Sequence, residues 1–164
     1  MKRRILALCL MFSVFCCGCK NQSEPLSESA YQLYFAAVPT QKHGAAVITQ
    51  PWQGEGEPTP QQLLQALLSG PVIEGAVSPF PAGVSVVRCE KQTKPSGHIK
   101  VILSEQYSAL TDISLTLADY CIVMTLTQLE EIESVEIQTQ GGAGGYRSHP
   151  VLRRDEVKLP AVLP

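Results

Sequence analysis

The sequence predicts an α/β chain of the α+β type, in the order βαββαβ, with a mainly antiparallel sheet and two helices on one of its faces. Three observations carry this. A capped, apolar-faced helix is written into Thr59–Gly70. Two alternating segments, Val84–Lys91 and His98–Leu103, flank the turn residues Pro95-Ser96-Gly97. A long apolar stripe over residues 115–129 then runs into a final alternating segment, Val135–Thr139.

Thr59 to Gly83 is the organising stretch. Thr59 can cap, Pro60 suits the first helical position, and Gln62 completes a Thr-x-x-Gln capping box. Leu63, Leu64, Ala66, Leu67 and Leu68 give an apolar face at helical spacing. Gly70-Pro71 stops the helix, Val72–Pro81 is expected as a loop, and Pro81-Ala82-Gly83 turns the chain towards a strand. Upstream, Tyr31–Val38 reads as a strand with Leu33, Phe35 and Ala37 on one face, and Gln32, Tyr34 and Ala36 on the other. Gln41–Gly44 is a turn, Ala45–Gln50 a short return strand, and Pro51–Pro58 a loop holding Trp52, the single tryptophan.

Downstream, alternation places Val87 and Cys89 on one face of Val84–Lys91, with Val84 and Val86 on the other. In the return strand Ile99, Val101 and Leu103 share a face. Thr111 or Ser114 can cap a second helix, Leu115–Gln128, whose buried stripe is Leu115, Ala118, Ile122, Thr125 and Leu129. Val135, Ile137 and Thr139 then point inward, with Glu136 and Gln138 outward. After the glycine-rich break at 141–145, the tail to Pro164 either adds an edge strand or remains outside the sheet.

Residues 1–18 read as a signal segment: a basic Lys2-Arg3-Arg4, then an apolar Ile5–Phe15 too short to span comfortably as a helix. Gly18-Cys19 followed by a polar run resembles a bacterial lipoprotein signal, with Cys19 the lipidated residue. Cys16 and Cys17 depart from the usual residues before it, which leaves cleavage at an earlier cysteine open beside an ordinary signal peptide or an uncleaved anchor. Residues 19–30 form a polar tether, 31–142 the domain, and 143–164 the break and tail. The expected location is the outer face of the cytoplasmic membrane, held through the lipid on Cys19.

Loss of residues 1–18 takes the 13 basic residues to 10 against 15 acidic ones, a net charge of −5. That balance argues against a nucleic-acid binder, which carries a basic patch. Of the six cysteines, Cys89 and Cys121 remain beside Cys19, and their apolar neighbours favour buried thiols over a bridge between them. His43, His98 and His149 form no metal-ligand pair on a helix, no Gly-x-Ser-x-Gly elbow exists, and Arg147 stands where a dinucleotide fingerprint needs its third glycine. No catalytic constellation, cofactor, metal or small-molecule substrate is expected.

Several segments resemble the GerMN domain, also called the sporulation and spore germination domain. They are Tyr34-Phe35, Ala66-Leu67-Leu68-Ser69-Gly70-Pro71, Phe80-Pro81-Ala82-Gly83, the run Val101–Tyr107, the helix Ile122–Thr127, and Val135-Glu136-Ile137. The match spans about Tyr31–Gly142. Ile102 replaces a frequent Asp, a single such domain is present, and the glycine-rich tail is unmatched. The resemblance implies a fold related to the ring-building motif of bacterial secretion systems, in envelope lipoproteins that assemble with other proteins, and it carries no catalytic residues. With helices on one sheet face, the opposite face would present Tyr34, Val84, Val86 and Ile102 to a protein partner, self-assembly included. The alternative is a cell-wall (peptidoglycan) binding module built around Trp52, Tyr31 and Tyr107. An envelope enzyme using His98 or Cys121 is a third reading.

Overall fold

The computed structural model describes residues 31–38, 47–140, 146–148 and 151–158. The signal segment, Cys19, the tether, the Gln41–Gly44 turn and the glycine-rich break lie outside the described residues. Among the described residues, eight strands form two sheets, and two α-helices pack with them. The α+β class is as the sequence predicts, and the predicted helices and strands follow in the predicted order. A two-residue strand, Ala76–Val77, stands inside the segment expected as a loop, and short strands are added in the tail.

The first helix, α1 (Pro60–Leu68), has the predicted cap: the Gln62 amide donates to Thr59 Oγ1 over 3.3 Å, and the Thr59 amide donates to Gln62 Oε1 over 2.9 Å. Leu63, Leu64 and Leu67 are buried, and Gly70 ends the helix at φ +90°, a backbone state that costs glycine nothing. The second helix, α2 (Asp112–Leu126), starts at Thr111 and is buried on more than a stripe: Cys121, Val123 and Leu126 join the predicted Ala118, Ile122 and Thr125. The cause is packing on several sides. α2 meets α1, the strand β6 (Ser134–Gln140) and the first strand, β1 (Gln32–Ala37).

The five-stranded sheet runs β4-β5-β6-β7, with β8 also paired to β6. Here β4 is Val86–Gln92, β5 His98–Leu103, β7 Tyr146–Ser148 and β8 Leu152–Arg153. β4 and β5 are antiparallel, whereas β5 and β6 are parallel because α2 carries the chain back before β6 begins. β7 and β8 follow one another down the far edge of β6, so the tail does add an edge. Ile99, Val101, Leu103, Val135, Ile137 and Thr139 are all inward and buried.

The sequence misses two features. First, β1 does not hydrogen-bond to the main sheet: it is the middle of a three-stranded sheet, β2-β1-β3, with β2 at Val47–Pro51 and β3 at Ala76–Val77. Three of its outward backbone groups are met by α2 and by Gln128, just past its end. The Gln128 side chain accepts from the Gln32 amide (2.8 Å) and donates to the Gln32 carbonyl (2.6 Å), and the Tyr34 amide donates to Thr125 Oγ1 (3.2 Å). Second, β4 has an irregularity between Val86 and Arg88, which breaks the alternation: Val86 and Cys89 both pack on the core while Val87 is exposed.

Trp52, expected in a loop, is buried in the core, edge-on to Tyr31 with ring centroids 6.4 Å apart. Gly54 lies across its ring, and a Cβ there would sit 2.0 Å from Trp52 Cζ2. Gly54→Ala should therefore lower stability by about 1–3 kcal/mol in urea unfolding. The emission of the single tryptophan should move to longer wavelength in the folded variant. An unchanged midpoint and spectrum would mean that the ring is not held by this contact.

Candidate interaction face

The outer face of the five-stranded sheet carries three rows read across β4, β5 and β6. They are Gln92–His98–Ser134, Glu90–Lys100–Glu136 and Arg88–Ile102–Gln138. Period-two alternation dictates this: each of these residues neighbours a core residue, so its side chain points the other way. The middle row alternates in charge, and Glu136 is its hub. Its carboxylate lies 3.5 Å from Lys100 Nζ and 3.4 Å from His98 Nε2, and accepts from Gln138 Nε2 over 2.7 Å. Burial alone would raise the Glu136 carboxyl, but the bonds from Gln138 and His98 and the Lys100 charge hold it below its ordinary value of 4.5. Arg88 and Glu90 pair at 3.5 Å further out.

His98 Nδ1 lies 3.0 Å from Ser134 Oγ, so Ser134, His98 and Glu136 are connected in the manner of a relay. Ser134 and His98 are both buried, however, which leaves the hydroxyl no approach for a substrate carbonyl. The two thiols, Cys121 of the enzyme reading and Cys89, are also disarmed. Burial pushes Cys121 up to about 12. Burial, helped by Glu90 and opposed by Lys91, pushes Cys89 up to about 11. Both are free. An open groove at the end of α2, lined by Thr127, Ile132, Glu133, Arg153, Arg154 and Asp155, holds two charges of each sign and so has no preference for an anion or a cation.

The residues expected to form one apolar face are not brought together. Tyr34 belongs to the three-stranded sheet, and Val84 and Val86 pack partly buried against the core. Ile102 does lie on the outer face, but it is only 6% exposed, flanked by Arg88 and Gln138. Trp52 is buried, as is Tyr107, whose hydroxyl donates to Asp119 over 2.6 Å. The face is polar because β4 is displaced by its irregularity and because β1 lies elsewhere. Lys100 and Glu136 were missed: their meeting requires the parallel register of β5 and β6, which alternation alone does not give.

Residues 32–144, well over half of the chain, match the family model described as Germane, sporulation and spore germination. The chain belongs to that family. Two solved structures share its fold. The first GerMN domain of the sporulation protein GerM from Bacillus subtilis is 21% identical with a TM-score of 0.57, over 76% of this chain and 97% of that one. The tandem GerMN domains of the same protein are 16% identical with a TM-score of 0.51, over 73% of this chain and 45% of that one. This chain thus matches less than half the length of the tandem structure. No curated protein matches. Within the Germane fold the two helices and mixed sheets are as expected, and the family supplies the link to sporulation and germination.

The depressed Glu136 carboxyl sets a sign. A carboxyl whose folded value lies below its unfolded one adds stability at neutral pH, and that contribution is lost as pH falls through the folded value. Between about pH 5 and pH 3 the urea midpoint should fall, and Glu136→Gln should make that fall shallower while lowering stability at pH 7. Equal slopes in the two proteins would remove Glu136 from the hub.

Proposed function

We propose that this chain is a non-catalytic lipoprotein of the cell envelope, held at the outer face of the cytoplasmic membrane through Cys19, whose domain assembles with other envelope proteins in sporulation or germination. The observation that carries the reading is the family match, which covers nearly all of the folded part. Supporting it, the outer sheet face is an ordered set of paired charges rather than a cleft, and such faces set register and partner choice more than they bind small molecules. The high thiol values and the buried Ser134 speak against the enzyme reading. The inward packing of Trp52 and Tyr107 speaks against a glycan platform built on those rings.

The test starts at the anchor. Cys19→Ala should shift the protein from the membrane fraction to the soluble one, with loss of incorporated radiolabelled palmitate. Cross-linking in sporulating cells should recover specific envelope proteins with the lipidated form. Retention of the variant in the membrane would refute the anchor, and recovery of wall fragments alone would refute the assembly reading.

A further inference from the structure

We infer that the outer edge of β4 is an isologous docking edge for a second copy of this chain, paired antiparallel about Cys89. Among the described residues no strand pairs with that edge, since β4 ends the order β4-β5-β6-β7. An unpaired edge of this kind is a row of free backbone donors and acceptors, and proteins commonly protect it with charge and bulges. β4 carries both, with Arg88, Glu90 and Lys91 following the irregularity at Val86/Arg88.

The charges do not block every pairing. In an antiparallel sheet continued through a two-fold axis, directly opposed residues share a face, so a residue can meet only itself or one an even number of positions away. A register centred on Arg88 opposes two arginines. One centred on Glu90 opposes two glutamates, and one centred on Lys91 opposes two lysines. Each places like charges face to face. The register centred on Cys89 instead sets Arg88 opposite Glu90 of the second copy, and Glu90 opposite its Arg88. Both residues are half exposed and already 3.5 Å apart within one chain, so the two pairs across the axis would join them into an alternating four-charge ladder. The polar rows of the outer face would then run on into the second molecule. Charge thus disfavours the registers centred on Arg88, Glu90 and Lys91, and the Cys89 register is the one that sets Arg88 and Glu90 against each other twice.

A ladder this short buries less than the roughly 1,200 Å² of a stable complex, so the dimer is weak and forms where copies are crowded. Only that need for crowding rests on the membrane anchoring proposed above; the register does not. The test uses the full chain in detergent, followed by sedimentation equilibrium up to about 1 mM, the effective concentration of tethered partners. The wild type should show a monomer–dimer equilibrium. Arg88→Glu or Glu90→Arg alone should weaken it by about tenfold or more, because each puts like charges together twice in the dimer. The double variant Arg88→Glu/Glu90→Arg should recover wild-type association, and the two single variants mixed should form a heterodimer. Circular dichroism should be unchanged, since both side chains are exposed. A wild type monomeric throughout, single variants that dimerise normally, or a double variant that stays monomeric would each overturn the proposal. A monomeric chain that still recovers envelope proteins on cross-linking would overturn the dimer and leave the assembly reading in place.

Discussion

The reciprocal clasp between the Gln128 side chain and the Gln32 backbone is the interaction on which the arrangement of the domain depends. A carboxamide offers the same donor and acceptor as a peptide group, so Gln128 completes β1 as a further strand would. Thr125, one helical turn earlier, does the same for Tyr34. With those groups met, β1 can leave the main sheet, form its own hairpin with β2, and close over α2. That explains why the C-terminal two thirds of α2, from Leu117 on, holds no exposed residue, and why its sequence shows a broad apolar surface rather than a narrow stripe.

With β1 displaced, the five-stranded sheet keeps a polar outer face and an edge at β4. The two belong to one design: Glu136 at the centre ties β5 to β6 through Lys100 and His98, while the outermost strand carries Arg88 and Glu90 beyond that network. The electrostatic pattern thus strengthens the sheet within one molecule and ends in charges that another strand can answer. Membership of the sporulation and spore germination family gives this surface its setting.

Local chemistry was legible in the sequence. The Thr59–Gln62 box, the Gly70 stop, the inward Ile99, Val101 and Leu103, and the buried Thr125 each follow from spacing within a few residues, and the structure shows them. What was not legible depends on contacts far apart in the chain. Gln32 and Gln128 are 96 positions apart, and nothing near Gln128 marks it as a surrogate strand. One extra residue in β4 turned Val87 outward, a shift that strict alternation hides. The loop placement of Trp52 did not show how deeply it is buried; Gly54 lets the loop fold back over its ring. The polar outer face was missed because register between β5 and β6 is set through α2.

The clasp also fixes how the domain answers force. The chain enters at Tyr31, whose carbonyl accepts from the Trp52 amide over 2.9 Å, and the next residue is Gln32. Tension drawn through the preceding segment therefore reaches two bonds made by one glutamine side chain before it reaches the rungs further along β1. Antiparallel β1 and β2 would then be peeled open from their free end, one rung at a time, and rungs taken in sequence resist far less than rungs sheared together. The Tyr31–Trp52 rung and the two Gln128 bonds are thus the first contacts that such tension meets, ahead of the leucines and isoleucines that hold the core.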